Sequence, residues 1–261
     1  MIKGLTDAYL QAVDEALPGF VAKLYVVGSA AVGAWVPNAS DVDTVIVTSR
    51  VASPRDLAAL EKVHQAMPAK PHLDGVYLDQ ATFEEFLGDR RVVPFVVDGQ
   101  LRIDKPCGEL TPVLWLTLQR YGIRVRGPEV DELGVHVDSA ALRRYNLENL
   151  RDYWKPAVPS IHQAVAELSA DAPVDASDVA WCILGPARLH YTLAYEDVTS
   201  KAGAAAYLAE IFSEWESLAH RAVQWRAGQK ESFTGVDMRE VARSIEAVTD
   251  DAWKRWGDQI A

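Results

Sequence analysis

The chain is poor in the residues that would tie it to an oxidising compartment or to a lipid bilayer. It has only two cysteines, Cys107 and Cys182, far apart and with no C-x-x-C or Cys/His spacing. That excludes a disulfide framework and a zinc cage, and reads as reduced thiols in a cytoplasmic protein. No apolar run approaches membrane-spanning length, and the opening stretch Met1–Asp7 lacks the apolar core of a signal peptide. Positive charge is scarce, with 26 Lys and Arg against 37 Asp and Glu, a net charge of −11. Without a Lys/Arg cluster the chain does not read as a nucleic-acid binder. Such an acidic surface attracts cationic partners and also keeps a protein soluble. Any anionic ligand must then be held by a local site.

Against those absences stand 261 residues, 49% hydrophobic and 24% charged, a composition ordinary for a globular protein of one large or two modest domains. Leu5, Tyr9, Leu10, Val13 and Leu17 recur at helical spacing until Pro18-Gly19. Strands are expected over roughly 22–28, 42–49 and 73–78. Between the last two, Ser53-Pro54-Arg55-Asp56 opens a helix, with Ser53 as N-cap and Pro54 in the first turn. Val92–Val97, Asp98-Gly99 and Leu101–Ile103 read as a hairpin around an Asp-Gly turn. Beyond about residue 135 only helices are expected: 139–154, 160–169, 177–195, 200–227 and 236–256. The fold class is therefore α+β with two domains, a mixed β-sheet domain over 1–135 and an all-α helical bundle over 136–261.

One local pattern carries chemistry. Lys23–Val27 runs into Gly28-Ser29, and Ser40-Asp41-Val42-Asp43 leads into Thr44–Val47. Alternate residues of a strand face the same way, so Asp41 and Asp43 point together. Paired carboxylates repel unless a cation lies between them, and Mg²⁺ accepts one or two carboxylates plus substrate phosphates. Gly28 allows close backbone approach to a phosphate. Ser29, where a helix starts, offers an N–H and a hydroxyl at the positive end of the helix dipole. Ser40 either holds a second phosphate oxygen or ends a loop.

Gly-Ser, a spacer and Asp-x-Asp on the next strand resemble the nucleotidyltransferase superfamily, the fold of DNA polymerase β. With Gly33, Pro37 and Ser40 in place, the stretch is similar to the aminoglycoside adenylyltransferases of the streptomycin/spectinomycin type. The resemblance implies Mg²⁺, two ions, held by Asp41 and Asp43, and ATP as the substrate whose AMP is transferred to a hydroxyl. It implies a third carboxylate on a neighbouring strand as general base, where Asp74 stands in place of the glutamate usual in those relatives. The segments Ala180–Leu193 and Thr199–Ala204 resemble the helical region with the nucleotide contacts, which makes Arg188 and Lys201 ligands of the ATP phosphates or adenosine and Asp178 an acceptor-binding acid. Residues 75–110 lack the tryptophan that streptomycin-modifying relatives carry there, so the acceptor is left open.

The residues and the resemblance together imply an Mg²⁺-dependent adenylyltransferase acting on a small cationic acceptor, an aminoglycoside-like antibiotic, with no nucleic-acid or membrane partner. Two alternatives fit the same residues: transfer of AMP to a protein hydroxyl, as in a toxin–antitoxin pair, and a nucleotide-sensing module that transfers nothing.

Overall fold

The structure, a computed structural model, describes residues 1–37, 39–89 and 91–259. It divides into two compact units, Met1–Val137 and Asp138–Ala261.

The first unit is built on a six-stranded mixed sheet. In chain order it contains α1 (Ile2–Ala16), β1 (Val21–Val26), α2 (Gly28–Ala31), β2 (Val42–Thr48), α3 (Pro54–Ala66) and β3 (Leu73–Asp79). There follow α4 (Gln80–Glu84), β4 (Phe95–Val97), β5 (Gln100–Arg102), α5 (Pro112–Tyr121) and β6 (Ile123–Arg126). The strand order is β5-β4-β3-β2-β1-β6. Only β2 and β3 run parallel, joined by the α3 crossover; the other neighbours are antiparallel.

The central strands read as nearly unbroken apolar runs because both of their faces are covered. Leu24, Val26 and Ile46 pack with Tyr9 and Val13 of α1 and Leu60 of α3. Their alternates Tyr25, Val45, Val47, Val76 and Leu78 pack on the other face with Trp115 and Leu118 of α5. Asp43 and Asp74 share the parity of this second set, so the sheet presents both on the α5 face. The first face is pinned by a buried hydrogen-bonded chain. The Tyr77 hydroxyl lies 2.6 Å from that of Tyr9 and 2.7 Å from His64 Nε2, joining β3 to α1 and α3. Ser53 caps α3, as the sequence pattern predicts, and Asp56 answers it in a reciprocal box.

The second unit contains α6 (Ser139–Asn149), α7 (Lys155–Ala166), α8 (Ala176–Tyr195), α9 (Lys201–Ile211), α10 (Glu216–Arg226) and α11 (Gly235–Trp256) around one core. It departs from the sequence expectation in three places. Helix continues from α6 into α7 through a π-turn at Leu150–Trp154, and Pro159 lies inside α7 where a new start at 160 was expected. The long helix expected over 200–227 is divided by a 3₁₀ turn at Ser213–Trp215, where the Phe212 and Trp215 rings pack 5.6 Å apart. Phe233-Thr234, outside every expected helix, forms β8 and pairs antiparallel with β7 (Pro173–Val174).

Candidate active site

The site grows from the exit of β1. Gly28 takes a left-handed backbone, φ 62°, to turn the chain into α2. A Cβ at this position would lie 1.9 Å from Asp43 Oδ2, so no side chain fits. Its absence lets the Asp43 carboxylate press against the corner. The Val27 N–H donates to the Asp43 carbonyl at 2.9 Å and fixes the two strands there. The helix that follows is a single turn, Gly28–Ala31. The Ser29 position thus offers local N–H and hydroxyl groups without the macrodipole of a long helix. Ser40 Oγ accepts the Val36 N–H at 3.2 Å, which closes the loop ahead of β2.

Asp41 immediately precedes β2, and its Oδ1 accepts the His72 N–H at 3.3 Å. In the parallel β2–β3 register Asp43 stands opposite Asp74. Asp74 is held from two directions. Its carbonyl accepts the Thr44 hydroxyl at 2.8 Å, an approach open only because Gly75 has no Cβ; one there would lie 2.2 Å from Thr44 Oγ1. Its carboxylate accepts the Asp98 N–H on Oδ2 at 2.8 Å and the Gly99 N–H on Oδ1 at 3.0 Å. Asp74 is 8% exposed. Burial raises its pKa, the two N–H bonds oppose that, and the Asp41 charge adds to the rise.

One oxygen each from Asp41, Asp74 and Asp98 lies within 4.8 Å of the other two. Three hard oxygen donors at this spacing suit a divalent cation such as Mg²⁺. The three acids expected to meet here were Asp41, Asp43 and Asp74. The structure brings two of them together, adds Asp98, and lays the Asp43 carboxylate against Gly28. Asp98 escaped the sequence reading because an Asp-Gly pair between strands signals a turn first. That turn does form, with φ 52° at Asp98 and 69° at Gly99. The hairpin also delivers the Asp98 carboxylate to a strand two positions along the sheet from β5.

The other sequence-derived candidates belong to the second unit. Asp178 is exposed in the first turn of α8, and Arg188 follows on the same helix, half-buried. Lys201 is the first residue of α9, its ammonium 5.8 Å from the centre of the Trp181 ring. Arg226, unnoticed in the sequence, is partly buried at the end of α10. Burial and the nearby Arg188 charge push its pKa down.

Residues 7–96 match the nucleotidyltransferase domain family. The match runs from α1 to β4 and includes Gly28, Asp41, Asp43 and Asp74; Asp98 falls outside it. The first unit thus carries a nucleotidyltransferase domain, and the class of enzyme it defines is the nucleotidyltransferases. Among solved structures the chain is similar in fold to spectinomycin adenyltransferase AAD(9) from Enterococcus faecialis, determined with ATP and spectinomycin. The TM-score is 0.70 at 13% identity, over 95% of this chain and 98% of that one. No curated protein matches in sequence.

Proposed function

We propose that the protein transfers AMP from ATP, with Mg²⁺, to a hydroxyl of a small cationic acceptor of the aminoglycoside type. The observation that carries this reading is the close approach of the Asp41 and Asp74 carboxylates beside the Gly28–Asp43 corner, inside the segment that matches a nucleotidyltransferase domain. The ATP and spectinomycin held by the AAD(9) structure support the choice of donor and acceptor class.

In this reading Asp41 and Asp43 hold the cation, and Gly28, Ser29 and Ser40 line the phosphates. Arg188 and Lys201 bind the nucleotide, Arg as a bidentate fork and Lys as a point charge. Asp178 takes a positive group of the acceptor. When bound, Mg²⁺ offsets the charge that develops on the phosphates. The acceptor hydroxyl attacks the α-phosphorus in line; the new O–P bond forms as the bond to pyrophosphate breaks. Asp74 receives the hydroxyl proton, and the upward push of burial on its pKa makes it a better proton acceptor than an exposed aspartate.

The test is incubation of the purified chain with labelled ATP, Mg²⁺ and a panel of aminoglycosides and aminocyclitols. Pyrophosphate release that depends on one of the drugs, with the label on that drug, is the expected result. ATP binding without release for any acceptor would make the chain a sensor. Label on a protein would redirect the activity to protein AMP transfer.

A further inference from the structure

We infer that Asp98 is a cation-holding carboxylate of this site, and that Asp74 acts on it as a positioning residue. The inference rests on the proposed nucleotidyl transfer. It adds a residue that lies beyond the matched segment 7–96.

The carboxylate site does not depend on acidic crowding alone. The domain match and the Gly28 corner, which excludes any side chain over Asp43, are independent of where Asp98 lies. Asp98 reaches the site from the tip of the β4–β5 hairpin, and it is exposed while Asp74 is buried. Its carboxylate oxygen lies within 4.8 Å of oxygens on both Asp41 and Asp74. The backbone explains why it is held there. The N–H groups of Asp98 and of Gly99 are each claimed by one Asp74 oxygen, so the buried carboxylate fastens the turn and sets the direction of the residue at its tip. Two N–H bonds to the ionised form of Asp74 are charge-assisted and stronger than those of an ordinary turn. Each Asp74 oxygen retains a second lone-pair direction, so fastening the turn leaves Asp74 able to face the reacting groups.

Nothing else on the hairpin requires an acid at this position. An Asp-Gly turn with both central residues at positive φ is equally well formed by Asn-Gly. Asp98→Asn therefore keeps the turn and removes only the charge.

The experiment uses Mn²⁺ as the probe for the Mg²⁺ position, followed by electron paramagnetic resonance on the full chain with a non-hydrolysable ATP analogue. Asp98→Asn is compared with Asp41→Asn and with Asp131→Asn, which removes one negative charge from the 3₁₀ turn at Val130–Leu133. The expected result is that Asp98→Asn and Asp41→Asn each weaken Mn²⁺ binding by about tenfold or more, with unchanged melting temperature, while Asp131→Asn binds as wild type. Wild-type Mn²⁺ affinity in Asp98→Asn beside a clear loss in Asp41→Asn would overturn the role of Asp98 and leave the proposed transfer standing. A raised KM for the acceptor alone, with Mn²⁺ affinity unchanged, would also overturn it and make Asp98 an acceptor contact. If Asp41→Asn binds Mn²⁺ as wild type, the cation site and the transfer reading fail together. A further comparison isolates the positioning role. Asp74→Asn turns one hydrogen-bond acceptor of the turn into a donor, so the amide protons of Asp98 and Gly99 should exchange faster in it than in wild type. Unchanged protection there would remove Asp74 as the fastener.

Discussion

Asp43 Oδ2 occupies the space that a side chain at residue 28 would need: a Cβ built on Gly28 falls 1.9 Å from it. The collision is compounded by the backbone, which at φ 62° costs a non-glycine residue about 1–2 kcal/mol. Gly28→Ala is expected to lower the melting temperature by several degrees and to abolish nucleotidyl transfer, because the strand ends must separate or Asp43 must swing away. Calorimetry and the transfer assay check the two halves of this expectation. A variant with wild-type activity would mean that the corner is not part of the site.

Asp41→Asn and Asp43→Asn change charge with little change in shape. Both side chains are partly solvent-exposed, so folding should be retained within about 1 kcal/mol. Transfer should drop below detection in each. Full activity in either variant would remove that residue from the cation site.

Asp74→Asn removes the proposed proton acceptor. The variant should lose kcat by about two to four orders of magnitude, with the KM for ATP changed far less. If only ATP affinity falls, Asp74 is a ligand and not the proton acceptor.

His64 sets a pH dependence on the first unit. Burial against α1 and β3 lowers its pKa from 6.5 to about 4. The unfolded chain then takes up a proton at a higher pH than the folded chain does. The stability from neutral His64 is complete above pH 6.5 and is lost as the pH falls from there toward 4, by about 3 kcal/mol across the window. Denaturant titrations at stepped pH should show this slope in wild type and a shallower one in His64→Leu. Equal slopes in the two proteins would assign the acid sensitivity to other groups.

The central strands could be read from sequence because Leu24–Val27 and Thr44–Val47 are covered on both faces and so must be apolar throughout. The Gly28-Ser29 corner and the Asp41/Asp43 spacing were equally legible, since both are local. What could not be read has no mark in glycine, proline or charge spacing. No glycine or proline marks the break between α9 and α10; Phe212 and Trp215 turn the chain there by packing on each other. A helix start was expected at residue 160, yet the helix passes through Pro159, with a π-turn just upstream. Asp98 is legible as a turn residue, but its approach to Asp41 follows from the pairing of β4 with β3, which no local spacing encodes.

The double grip of Asp74 on the Asp98-Gly99 turn has an evolutionary corollary. A glutamate at residue 74 would push its carboxylate one carbon farther out and could not keep both backbone partners. Drift toward the longer acid would thus have to be accompanied by a re-formed hairpin tip. Positions 74 and 98–99 should therefore change as a linked group among descendants of this sequence, with single replacements at either end selected against.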